Sequence, residues 1–196
     1  CLSTALRFLI LNVGCNYITF IKTKHRMKLI LISIFTISIT IQSYSQEFTT
    51  EKGGHSYTLD IPNYLTKTYD LNDDATLQYN NTLKEAYLIV IPDSKDELKA
   101  VGTTFTNSKD FLDYFIKDYQ AESERRTTTD VVEFESNNNM HAQVEINFSI
   151  DENDFFMVIT VVETETHYYK ILCWTLLEYK NQFRDDYLKI SKSLKD

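Results

Sequence analysis

Apolar positions along this chain follow three rules in turn, and each rule predicts a different kind of element. From Leu29 to Ile41 they are nearly contiguous, broken only by Ser33, Thr36, Ser38 and Thr40. Over most of 57–176 they alternate with polar positions, the period of a half-buried strand. In two places, 109–122 and 177–194, they recur every three or four residues, the period of a helix lying on a core.

The alternating region predicts a sheet. Tyr57, Leu59 and Ile61 face one way and Thr58 and Asp60 the other, in a strand from His55 that ends at Pro62-Asn63. Before it lie Glu47 to Glu51, a polar lead-in with a short strand as the alternative, and a Gly53-Gly54 turn. Leu65 to Leu71 is weakly extended; Asn72-Asp73-Asp74 turns into a strand from Ala75 to Tyr79. Tyr87 to Ile91 is apolar at consecutive positions, which predicts a strand covered on both faces. A short helix fits 93–99.

Four strands then form a meander: Val131 to Glu135, 140–150, Phe155 to Val162 and Tyr168 to Leu176. The second alternates most strictly, with Met140, Ala142, Val144, Ile146, Phe148 and Ile150 inward. Asn107-Ser108 supplies caps for the helix from Lys109 to about Glu122, which carries Phe111, Leu112, Phe115, Ile116 and Tyr119 on one stripe. The terminal helix, from about Leu177 to Leu194, aligns Phe183, Tyr187, Ile190 and Leu194. These elements predict an α+β domain, an antiparallel sheet of about six to seven strands whose apolar face is covered by the two helices.

The contiguous run reads differently. With Lys28 before it and Ser43 and Ser45 at −3 and −1 of a cut before Gln46, it has the layout of a secretory signal peptide. It is shorter than the about 20 apolar residues of a spanning helix, although a retained anchor is the alternative. The first Met is Met27, so residues 1–26 are expected to be upstream sequence, 27–45 a cleaved leader, and 46–196 one exported domain. No Cys follows the apolar run, which argues against a lipoprotein.

Composition sharpens this. All 28 acidic residues lie after position 45, whereas Arg7, Lys22, Lys24, Arg26 and Lys28 of the 20 basic ones lie before it, leaving the domain at −13. Such a charge repels phosphate backbones and disfavours nucleic acid. The domain keeps one of the chain's three cysteines, Cys173, and so has no internal disulfide. A bacterial periplasm or cell surface suits an exported chain with no bridge better than a eukaryotic secretory route.

Candidate chemistry is sparse. Cys173 sits in a strand beside Trp174 without a helix start or glycine turn to activate it, so a buried thiol is expected. His55, His141 and His167 fall at strand ends or on polar strand faces, without zinc spacing, and are expected at the surface. Asp151, Glu152 and Asp154 crowd one hairpin, and Asp93, Asp96 and Glu97 another stretch; their spacing is not that of a calcium loop, and solvated turns are expected. Asn80-Asn81-Thr82 and Asn147-Phe148-Ser149 match the glycosylation triplet, which carries no weight in a bacterial setting. No catalytic, cofactor or metal site is assigned.

Tyr57-Thr58-Leu59-Asp60-Ile61-Pro62 resembles the opening strand of the PsbP-like family, whose superfamily includes the photosystem accessory protein and Ran-binding Mog-type proteins. Tyr168 to Thr175 resembles its last strand, and the helix bearing Phe183, Ile190 and Leu194 its closing helix, with Leu194 where an aromatic is common. The resemblance covers most of 47–196, consists of packing patterns, and transfers no functional residue. It implies an antiparallel sheet between helices, an α/β/α sandwich, and a non-enzymatic binding or assembly role; with the export reading, a protein partner in the cell envelope is expected. A carrier or chaperone for a small apolar ligand or helix, and a hydrolase built from dispersed His, Asp and Glu, are the alternatives. The sequence names neither partner nor oligomeric state.

Overall fold

A computed structural model describes residues 46–196, His55 and Glu124 excepted. The leader, its cleavage near Ser45 and the segment before it lie outside the described residues, as does His55.

Among the described residues, ten strands, all paired antiparallel, form two sheets. β1 (Phe48–Gly53) and β2 (Tyr57–Pro62) make a two-stranded hairpin. The main sheet has eight strands: β3 (Thr66–Lys67), β4 (Leu77–Asn81), β5 (Ala86–Ser94), β6 (Thr127–Thr128), β7 (Val132–Ser136), β8 (Asn139–Ile150), β9 (Asn153–Glu163) and β10 (His167–Leu176). Their spatial order is β3-β4-β5-β10-β9-β8-β6, with β7 also on β8. Among the described residues three helices accompany the sheets: α1 (Lys95–Ala100), α2 (Ser108–Asp118) and α3 (Lys180–Lys192), the last entered through a 3₁₀ turn at Leu177–Tyr179.

The α+β layering follows the periodicities. The strand count exceeds the expectation because β3 and β6 are two residues each, too short to show any period, and β1 is polar. β7 to β10 form the expected meander, and its last strand docks beside β5. That pairing is long-range and makes β5, β9 and β10 the centre of the sheet.

The two longer helices divide the faces between them. On one face, α3 presents Phe183, Tyr187 and Ile190, and Leu194 follows; the β1–β2 hairpin adds Tyr57, Leu59 and Ile61. Together they bury Leu88, Val90, Phe156, Val158, Ile171 and Cys173. Gly53 is required here: a Cβ would collide with the Tyr57 ring, whose hydroxyl bonds Thr76 Oγ1 at 2.8 Å. On the opposite face, α2 buries Phe111 and Leu112 against Val144, Ile146, Ile159 and Val161, with Leu98 of α1 alongside. The hairpin is thus a third cover that helix periodicity does not reveal. On β8, Met140 and Ile150 stay 44% and 43% exposed because the strand's ends run past α2.

Local chemistry sets the helix ends. Asn107 accepts from Asp110 N–H at 2.8 Å, while the Asp110 carboxylate accepts from Thr106 N–H at 2.9 Å. Glu163, at the end of β9, accepts from Ser108 N–H and from Lys95 Nζ, both at 2.9 Å, and ties the starts of α1 and α2 to the sheet. At the same end of the sheet but on its other face, Ser136 and Asn137 of the β7–β8 turn donate to the carbonyls of Lys192 and Leu194 and close α3. Glu145 on β8 reaches α3, at 2.5 Å from Arg184 and 3.1 Å from Lys180.

Candidate functional site

α2 stops at Asp118, and the sheet beneath continues beyond it. The result is an apolar groove of about 270 Å³ lined by Leu71, Ile89, Tyr119, Gln120, Phe148, Ile150, Phe155, Met157, Leu172 and Trp174. Its floor is the outward face of β5, β10, β9 and β8; its walls are the loop before β4 and the end of α2. Trp174, the chain's one tryptophan, is half-buried and stacks on Tyr87 with ring centroids 5.2 Å apart. The Tyr87 hydroxyl donates to Glu85 at 2.8 Å, and burial with that carboxylate pushes its pKa up to about 12.

Both walls are held by side chains that spend their polar groups on backbone. Gln78 is 5% exposed and faces the floor of its own loop. Its Oε1 accepts from the N–H groups of Leu71 and Asn72 at 2.9 and 3.1 Å, and its Nε2 donates to Asn72 O at 2.6 Å. On the other side, Arg126 donates to the carbonyls of Ile116 and Tyr119 at 2.7 and 2.9 Å, satisfying the end of α2 with a cation. Gln120 follows with φ +53°, a left-handed backbone that costs energy for a residue with a Cβ. Ser123 then bonds Ser149 twice, and Arg125 grips Asp154 at 2.9 Å, fastening this connection to the β8–β9 hairpin. Burial raises the Tyr119 hydroxyl above its ordinary pKa, against a lowering bond to Gln120. The groove thus offers apolar and aromatic surface, with Gln120 and the Tyr119 hydroxyl as its polar groups.

Most of the residues singled out by sequence lie away from the groove and apart; Asp151 and Glu152 are the exception, directly following its Ile150. Cys173 is fully buried on the α3 face, where burial pushes the thiol far up, as expected of a structural cysteine. His167 is partly exposed at the start of β10. His141 corrects the expectation of a surface histidine: it is 0% exposed. Its polar strand face is roofed by the end of α3, and Phe134 stacks on the ring at 4.8 Å. Nδ1 donates to Asn139 O at 3.0 Å, and burial holds the imidazole below its ordinary pKa. Asp151 and Glu152 are exposed, while Asp154 is engaged by Arg125 and Ser149. Asp93 pairs with Lys170 at 2.9 Å, and Asp96 and Glu97 lie in the first turn of α1. Among the described residues, no three His, Cys, Asp or Glu side chains gather as a metal site would require. The groove itself escaped sequence reading because its members come from six separate segments; Trp174 on a strand with Leu172 was the one available pointer.

No protein-family model matches the chain, and no curated protein matches it by sequence. Solved structures match it by shape. Cyanobacterial PsbP from Synechocystis sp. PCC 6803 superposes with a TM-score of 0.55 at 9% identity, over 79% of this chain and 95% of that one. The chain has the PsbP-like fold. The Ran-binding protein Mog1p of Saccharomyces cerevisiae gives a TM-score of 0.53 at 8% identity, over 77% and 96% of the two chains. Identity this low conveys the fold alone, so the PsbP-like resemblance holds at that level and no functional residue comes with it. Among the described residues, no helix is long and apolar enough to cross a membrane.

Proposed function

We propose that residues 46–196 form an exported, non-enzymatic binding module of the bacterial cell envelope, released by cleavage near Ser45, that engages a protein partner through the groove beside α2. The observation that carries this reading is a preformed apolar groove whose two walls are pinned by Gln78 and Arg126. Buried side chains committed to shaping a loop keep a surface ready for a partner and lower the ordering cost of binding. The lining supplies no acid–base pair or nucleophile with a base beside it, which favours binding over hydrolysis. The PsbP-like fold suits an accessory role, as an analogy of fold.

The test is co-purification from envelope extracts. The wild-type chain retains a partner; Ile150→Asp, at the groove's open end, loses it; Val101→Asp, exposed at the end of α1 and outside the groove's lining, retains it. Equal retention by all three would remove the groove from the reading, and hydrolytic turnover lost on Ile150→Asp would replace binding by catalysis.

A further inference from the structure

The groove is small and its surroundings are charged with one sign. A space of about 270 Å³ lies below the about 300–1,000 Å³ of clefts that enclose small-molecule ligands. It has room for one or two apolar side chains from a larger body. What surrounds it decides which body. Asp73 follows Leu71 in the first wall; Asp118 and Glu122 bracket Tyr119 and Gln120 in the second; Asp151 and Glu152 follow Ile150 at the open end. All five are exposed. The neighbouring cations are already spent: Lys170 on Asp93, Arg125 on Asp154, and Arg126 on the carbonyls that end α2. Lys117 is the exposed exception.

Resting on the binding-module reading, we infer that the groove's occupant is a segment of a partner protein that inserts a Leu- or Phe-type anchor between flanking Lys or Arg residues. The anchor exchanges water for Trp174, Phe155 and Ile150 on the floor and rim. The flanking cations meet Asp73 on one side and Glu122 and Asp151 on the other, so that charge selects the partner and steers its approach. A second copy of this chain is disfavoured by the same rim, since a domain at −13 would set acid against acid.

Trp174, the chain's one tryptophan, reports occupancy directly. The probes are two synthetic peptides without tryptophan, Lys-Lys-Leu-Phe-Leu-Lys-Lys and Glu-Glu-Leu-Phe-Leu-Glu-Glu, titrated into the purified protein while Trp174 emission is followed. The lysine-flanked peptide is expected to bind at least about tenfold tighter at about 20 mM salt, and the preference to shrink to about twofold at about 500 mM, where the screening length falls to a few ångströms. The double variant Asp73→Lys, Glu122→Lys, altered only at exposed positions, is expected to abolish most of the preference. Equal binding of both peptides would overturn the charge selection and leave the groove reading standing. No change in Trp174 emission with either peptide would overturn both. Concentration-dependent dimerisation that quenches Trp174 would assign the groove to a second copy and overturn the inference.

Discussion

The two faces of the main sheet both carry a buried apolar cluster and are finished differently. One is sealed: α3 lies along it, the β1–β2 hairpin fills the remainder, and Tyr57, Tyr169 and Tyr187 are all buried there. The chain end is stitched in as well, since Lys195 and Thr58 exchange backbone bonds at 2.8 and 3.0 Å. The other face is covered by the shorter α1 and α2, and its sheet runs out from under them into the groove. Polar groups also differ in use. On the sealed face they bind cover to sheet, as Glu145 does with Arg184 and Lys180. On the open face Gln78 and Arg126 bind the backbone of the loop before β4 and of the end of α2, the groove's two walls. One face is therefore spent on stability, and the other keeps apolar surface available at a cost in stability.

Substitutions that separate stability from binding test this contrast. The largest effect is expected on the sealed face. Phe183 is 2% exposed, and Phe183→Ala should cost about 3–5 kcal/mol in urea unfolding. Should this variant lose less than about 1 kcal/mol, the sealed face would not be the stabilising one. Gln78→Leu keeps the bulk but strands the N–H groups of Leu71 and Asn72. It should cost about 1–3 kcal/mol and speed amide exchange at those two positions while leaving the α3 face protected.

Glu145→Gln should cost about 1 kcal/mol at neutral pH, as for a pair open to solvent on one side. Burial raises the Glu145 carboxyl, but Arg184 and Lys180 together bring it below its ordinary 4.5. A carboxylate depressed in the folded state contributes fully above 4.5 and loses that contribution as pH falls further. The variant should therefore flatten the stability profile in that acid range. His141 acts in an earlier window: its imidazole is held below 6.5, chiefly by burial. Its contribution is complete above 6.5 and declines as pH falls below it, because the unfolded chain takes up the proton first. His141→Phe should remove that decline and leave the one below 4.5 in place; an unchanged slope between pH 6.5 and 4.5 would mean the ring is not held neutral. The smallest stability effect is expected at the groove mouth. Ile150→Asp should shift unfolding by no more than about 0.5 kcal/mol while abolishing partner retention.

Much of the fold was legible in the chain. Phe183, Tyr187, Ile190 and Leu194 form the buried stripe their spacing predicts, and Ala142 to Phe148 face inward as their alternation requires. Asn107 caps α2 as its position before the helix suggests. The helix ends at Asp118, short of Glu122, because Gln120 enters the left-handed region and Arg126 takes the last carbonyls, and neither event has a period. His141 was misjudged for a related reason: alternation shows which face a side chain joins, and the roof over that face comes from residues 50 positions away in α3.

Sequence alone determined the longer strands and helices and the acidic charge, because each depends on residues close in the chain or on composition. Tertiary structure decided which strands meet, which helix covers which face, and that a stretch of sheet beside α2 stays uncovered. Those outcomes depend on how far each cover reaches once packed, and reach is a property of assembled surfaces that no local pattern encodes.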